Sequence, residues 1–416
     1  MRTIDEPLDQ IDDEQWWSPL QASIEALEPR IVRLRRRLHA TPESSGNEQQ
    51  TTALLVDILR DAGITPILME NGCGFVADIN IGAPTSTFIA LRAELDAVNV
   101  QDDKGVPYAS TQPDLCHACG HDAHASILMA TALTINKHRQ DIAAMQFKHN
   151  IRLIFQPAEE TAVGARSMIK QGALNGVAAI VALHSDPFLD AGHIGLRNGP
   201  ITGACKTFKV IVRGRSGHTA RPHEAIDPIP AATSVIDMFY QLGPRSMDSR
   251  YPLALTVSSI MAGQAVNAIP AQASITGTLR TARLEDLEAV QRQMIRITES
   301  VSHATSCQID IEFVGFTPPT NNDPLLTEII GRAASEVIKP KSIEWLDVPS
   351  LGGEDFAFYQ ELIPGAIFRL GTALPNPRQR MPLHSSHFDI NERALGVGTL
   401  VMTRAVLLAA QEHPAS

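Results

Sequence analysis

The 416-residue chain has no basic excess, no apolar run of 18 residues, no internal repeat and no low-complexity tract. Each absence excludes something. A formal net charge of −11 leaves no basic face for a nucleic-acid backbone, and the acidity reads as solubility. Without a long apolar run, no segment is expected to cross a membrane. Cysteine is sparse and odd in number (Cys73, Cys116, Cys119, Cys205, Cys307), which argues for reduced thiols rather than a disulfide framework. The acidic start, from Met1 to Glu14, lacks the apolar centre of a secretory signal. A cytoplasmic setting is therefore expected.

What is present is an ordinary globular composition, 44% hydrophobic and 19% charged, in a chain long enough for more than one domain. Apolar residues recur at helical spacing from Leu20 to Leu38 and from Asn47 to Asp61, where Gly63 closes the second helix. Arg33, Arg35, Arg36 and Arg37 read as a solvated face of the first helix. Short apolar runs follow at Gly74 to Ile79, Thr87 to Leu91, Ile151 to Phe155 and Ala178 to Leu183. Helical stretches at 121–138 and 164–171 alternate with them, the rhythm of an α/β sheet.

The middle of the chain reads differently. Strands at Lys206 to Val212, Leu253 to Met261, Gln272 to Arg280 and Gln308 to Val314 enclose helices at Glu224 to Tyr240 and Leu284 to Ser302. That β-α-β-β-α-β order is ferredoxin-like. The expected architecture is a mixed-sheet α/β catalytic domain, residues 19–200 and 316–416, with an inserted domain at 201–315. Residues 1–18 read as an extension, with Trp16 and Trp17 able to dock on the body.

The densest chemistry lies in Leu115-Cys-His-Ala-Cys-Gly-His-Asp-Ala-His124, where a loop enters a helix. A thiolate and an imidazole two positions apart, joined by Gly120, can face one metal ion. Gln156-Pro-Ala-Glu-Glu160 follows a strand. If extended, it would point its two carboxylates to opposite sides, one to ligate a metal and one to act as base. His184 leaves another strand, and a turn-rich loop from Leu374 to Pro382 delivers His384, with His387 beside it. Cys119, His121, Glu160, His184 and His384 together supply donors for two divalent ions sharing a bridging thiolate. Mixed S, N and O donors suit zinc, with manganese or cobalt as alternatives. Asp96 and Asp122 are cast as carboxylates that orient the imidazoles. In the middle region, His218, Asn267 and Arg280 are candidate oxyanion and carboxylate partners.

These motifs resemble the M20 metallopeptidases, specifically the amidohydrolase branch of auxin-conjugate, hippurate and bacterial N-acyl-amino-acid hydrolases. The matching stretches run in order from Arg36-Arg-Leu-His-Ala-Thr-Pro-Glu43 to Leu383-His-Ser-Ser-His-Phe388. Between them lie His117 to His124, Phe155 to Glu160, Gly217-His218 and Gly353-Glu-Asp-Phe356. The resemblance implies a two-metal site bridged by Cys119 and completed by His121, Glu160, His184 and His384, with Glu159 as general base. It implies a homodimer formed by the inserted domain, His218 and Asn267 reaching toward the partner's site, and Arg280 helping to bind a substrate carboxylate. The implied reaction is hydrolysis of a small amide to a carboxylate and an amine.

Three stretches depart from the pattern. Arg92-Ala-Glu-Leu-Asp-Ala-Val-Asn99 carries Glu94 where the family has Asp, Ser386 replaces a frequent Pro, and Ser44-Ser-Gly46 replaces an apolar stretch. None removes an implied ligand. The same architecture also serves dipeptidases, carboxypeptidases, carbamoyl-amide hydrolases and aromatic deaminases. A regulatory dimer that has lost hydrolysis is the non-enzyme alternative, disfavoured by the intact Glu159 and the complete donor set.

Overall fold

A computed structural model describes residues 13–243, 247–248 and 250–414. They form two compact units, one of residues up to 198 with 322–347 and 359 onward, the other of 199–321 with 348–358. The short segment 348–358, expected with the catalytic part, joins the inserted unit through backbone bonds. Ser350 N donates to Ile201 O at 3.0 Å, and Gly203 N donates to Gly352 O at 3.3 Å. Of the extension placed at 1–18, residues 1–12 lie outside the described residues. Residues 13–18 are the first turns of helix α1 (Asp13–Ala40), with Trp17 in the core.

The first unit is built on an eight-stranded mixed sheet. Its strands include β1 (Pro66–Leu68), β2 (Phe75–Ile79), β3 (Phe88–Glu94), β4 (Asn150–Gln156), β5 (Val177–Asp190) and β6 (Ile194–Leu196). The sheet order is β1, β2, β4, β3, β5, then Gly365–Ala373, β6 and Ile343–Trp345. β3, β4, β5 and Gly365–Ala373 run parallel, while β1 and β2 join antiparallel at one side. β4 is buried throughout, Arg152 being paired with Asp78, which explains why apolar residues occupy both of its faces in place of alternation.

Helices α1, α2 (Gln49–Asp61) and α3 (His121–Lys137) and the C-terminal helix Arg393–Glu412 share the core with this sheet. The C-terminal helix is long and apolar enough by composition to cross a membrane, yet 78% of its apolar window is buried inside the protein. It is a core helix. The basic run on α1 is not uniformly solvated either. Arg35 is fully buried against Asp122 at 2.8 Å and Asp389 at 2.9 Å, so one arginine of the expected solvent face turns inward to carboxylates.

The second unit carries a four-stranded antiparallel sheet ordered Leu253–Ala262, Gln272–Thr281, Ala204–Arg213, Gln308–Thr317. Helices Pro228–Tyr240 and Leu284–Thr305 pack on it, giving the ferredoxin-like arrangement expected for the insertion. The first helix begins four residues later than its apolar spacing suggests. Asp227 caps Ile229 N at 3.0 Å, and Pro228 occupies the first helical position.

Candidate metal centre

Parallel strands bring their carboxyl ends to one edge of the first unit's sheet, where ligand sites gather in such folds. Glu94 ends β3 level with Gln156 at the end of β4, and Arg92 is level with Ala182 of β5. His184, two residues further along β5, therefore sits at this edge although its own strand continues to Asp190. Between β3 and α3, the loop carrying Cys119 turns at Gly120, whose φ is +86°. A Cβ there would lie 2.7 Å from Ser185 Oγ, so glycine is required for Cys119 and His121 to approach β5.

The expected donors converge. Cys119 Sγ is 3.5 Å from His184 Nε2, and His384 Nε2 is 3.3 Å from Glu160 Oε1. His121 Nε2 stands 3.9 Å from both Glu159 Oε2 and Glu160 Oε1. Cys119 groups with His121 and His184 on one side and with Glu160 and His384 on the other, each set with its ligand atoms within 4.8 Å. The two glutamates do not diverge as an extended segment would direct them. Gln156 to Glu160 leaves the strand through a turn in which Ala158 has φ +53°, and both carboxylates face one imidazole.

Hydrogen bonds fix which ring nitrogen faces the cluster. His121 Nδ1 lies 2.9 Å from the Asp96 backbone carbonyl, and His184 Nδ1 lies 2.9 Å from that of Ser185. A carbonyl oxygen can only accept, so Nδ1 carries the proton, and a neutral ring presents its Nε2 lone pair to the cluster. His121 Nε2 is buried and has no hydrogen-bond partner. A buried, unpartnered nitrogen between a thiol and two carboxylates fits a divalent metal ion.

The charge balance points the same way. Burial, then Glu160, pushes the Cys119 thiol up, so its thiolate form requires a cation beside it. Protons supply that charge when no other cation does. His384 is pushed up to about 10 by hydrogen bonds with Cys119 and Glu160. His121 is also raised, because Cys119 and Asp96 outweigh its burial. A metal ion would displace these protons on binding.

The supporting carboxylates divide differently from the sequence expectation. Asp96 does orient His121, its Oδ1 lying 3.2 Å from Nδ1, and its Oδ2 accepts from Glu160 N at 2.9 Å. Asp122 instead faces away, to Arg35 and to His39 Nδ1 at 2.7 Å. Despite burial, Arg35 and His39 hold the Asp122 carboxyl well below the usual range. Glu94, the residue in place of Asp, pairs with Arg92 and with His124 Nδ1 at 2.8 Å. His124 Nε2 in turn accepts from Ser185 N at 2.9 Å, beside His184. This Glu94–His124–Ser185 chain is not legible from spacing, although His124 closes the donor-rich stretch that begins at Leu115. A further cluster, His39, Asp102 and Cys116, already holds a cation: Lys104 Nζ is 2.9 Å from Asp102 Oδ1 and 3.6 Å from Cys116 Sγ.

His218, Asn267 and Arg280 belong to the second unit. His218 and Asn267 are exposed and lie at a two-stranded ribbon, with Ala268 paired to His218. Arg280 is half-buried on strand Gln272–Thr281, and one of its terminal nitrogens donates to Leu351 O at 3.0 Å.

Fold and site together define an α/β protein with a buried donor set able to hold metal ions, and its family makes it a metal-dependent hydrolase acting on amide bonds. The chain belongs to peptidase family M20/M25/M40, whose pattern matches residues 90–408. It is 36% identical to N-acetyl-L-cysteine deacetylase of Bacillus subtilis over 84% of this chain and 82% of that protein. It is 31% identical to the IAA-amino acid hydrolase ILR1-like 4 of Arabidopsis thaliana, over 88% of this chain and 83% of that protein. Among solved structures, it resembles the Bacillus subtilis YXEP protein, described as a dinuclear metal binding peptidase from the M20 family. That likeness has a TM-score of 0.79 and 31% identity, and it covers 93% of this chain and 99% of the other.

Proposed function

We propose that this enzyme hydrolyses the amide bond of N-acyl amino acids or similar small conjugates, with Glu159 as general base. The observation that carries the reading is the convergence of two Nδ1-anchored imidazoles, a buried thiol and two carboxylates at one sheet edge. Cys119, His121, Glu160, His184 and His384 would hold two divalent ions, zinc or manganese with cobalt as an alternative. Bound there, such ions polarise a carbonyl and lower the pKa of water.

The chain's own groups do the rest. Glu159 takes the proton of the attacking water and later returns it to the leaving nitrogen. His218 Nδ1 accepts from Ala220 N at 3.1 Å, so a neutral ring carries its proton on Nε2 and can donate to an oxyanion. The other guanidinium donors of Arg280 take the substrate carboxylate, a role in which planar paired donors excel. The inserted unit forms a homodimer, from which His218 and Asn267 serve the partner's site. The five free cysteines fit a reducing compartment such as the cytoplasm. Support for the substrate class comes from the relatives named as an N-acetyl-cysteine deacetylase and an IAA-amino acid hydrolase.

The test is a hydrolysis screen of N-acetyl, N-benzoyl and indole-acyl amino acids and of dipeptides, each with zinc, manganese and cobalt. Turnover of N-acyl amino acids above dipeptides is expected. Turnover confined to dipeptides overturns the substrate class, and full activity of Glu159→Gln overturns the base.

A further inference from the structure

The loop replacing an apolar stretch of the family pattern, Ser44-Ser-Gly46, has no part in the reading above, nor does buried Glu48 two residues on. Glu48 sits at the N-cap of α2 but does not cap it with its side chain. That task falls to Glu43, whose carboxylate accepts from Gln50 N at 3.1 Å and Thr51 N at 2.7 Å. The Glu48 carboxylate is thereby released for another role. Its Oε1 accepts from Gly46 N and, 110 positions along the chain, from Ala158 N, both at 2.8 Å. Ala158 immediately precedes Glu159 and holds φ +53°, a conformation alanine disfavours. Ser45 Oγ donates to Asp96 Oδ2 at 2.7 Å, and the same oxygen accepts from Glu160 N. Both ends of the Ala158–Glu160 turn are thus tied to one loop.

We propose that loop 44–48 is a positioning clamp for the glutamate pair: Glu48 holds Ala158 in its left-handed conformation and Ser45, through Asp96, holds Glu160. Neither side chain touches substrate. Each acts by fixing where Glu159 and Glu160 point, and small displacements at a reacting centre are costly. This rests on Glu159 being the base, but the clamp itself can be tested apart from that role.

Amide exchange is measured over residues 156–164 in the metal-free full chain, and steady-state kinetics and metal content in the loaded enzyme. Glu48→Ala should raise exchange in this segment about tenfold or more and lower kcat about ten- to a hundredfold, with KM and metal content little changed. Glu48→Gln keeps the accepting oxygen and should restore both readouts to near wild type. Ser45→Ala should give a smaller change of the same kind, which covers the case of Glu48→Ala failing to fold. Wild-type exchange and kcat in folded Glu48→Ala and in Ser45→Ala overturn the clamp. Glu48→Gln as impaired as Glu48→Ala overturns it too, because charge rather than hydrogen bonding would then be at work. An active Glu159→Gln enzyme would remove the base while leaving the exchange result to decide the clamp.

Discussion

His121 and His184 in the first unit and His218 in the second carry the same side chain with opposite wiring. In the first two, Nδ1 meets a backbone carbonyl and must donate. In His218, Nδ1 meets the N–H of Ala220 and must accept. The neutral rings therefore differ at Nε2, a lone pair suited to a metal in the first unit and an N–H suited to an oxyanion in the second. Burial separates them as well: His121 is sealed among fixed neighbours, while His218 is exposed on a short ribbon.

The strongest way to sharpen this contrast is Glu159→Gln. It should lower turnover about 10³- to 10⁴-fold while metal content, measured by elemental analysis, stays unchanged. Cys119→Ala should do the reverse, weakening metal affinity by about a hundredfold or more in a competition titration, whereas an unchanged affinity would take the thiol out of the ligand set. His218→Ala should leave metal affinity alone and reduce kcat about a hundredfold, the usual cost of losing an oxyanion donor. Loss of metal in that variant would erase the distinction between the two kinds of histidine.

Smaller effects probe the supports. His124→Ala breaks the chain from Glu94 to Ser185 and should weaken metal binding about tenfold. His39, which ligates nothing in this reading, is one of three raised histidines, with His121 and His384, that make the stability of the metal-free protein depend on pH. Burial and Arg35 oppose its proton, yet Asp122 and Asp102 push it up to about 10. A raised histidine contributes stability that is complete below its unfolded pKa of about 6.5 and fades as pH rises through about 10. The melting temperature of the metal-free protein should fall across that window, and His39→Gln should reduce the slope while His121 and His384 keep part of it.

Much of this molecule was legible before any coordinates. Strand-like runs at Gly74 to Ile79 and Ile151 to Phe155 fall within a residue of observed strands, because strands buried in the interior of the sheet are rich in apolar residues on both faces. The βαββαβ order of the insertion was equally plain from alternating periods. Burial of Arg35 was not, since helical spacing shows which face is apolar but not which charge will meet a carboxylate from elsewhere. The turning of Asp122 toward His39 leaves no local signal for the same reason, as the two lie 83 positions apart.

The sequence by itself determined the element order, the family and the inventory of donors, because those depend on local period and on residue type. Only the tertiary structure decided how each donor is used. Which backbone group meets a given Nδ1, why two adjacent glutamates face one imidazole, and that Glu48 serves a turn 110 residues away are set by hydrogen bonds between distant segments. Such bonds form only once the sheet has brought those segments to one edge, and local periodicity carries no trace of them.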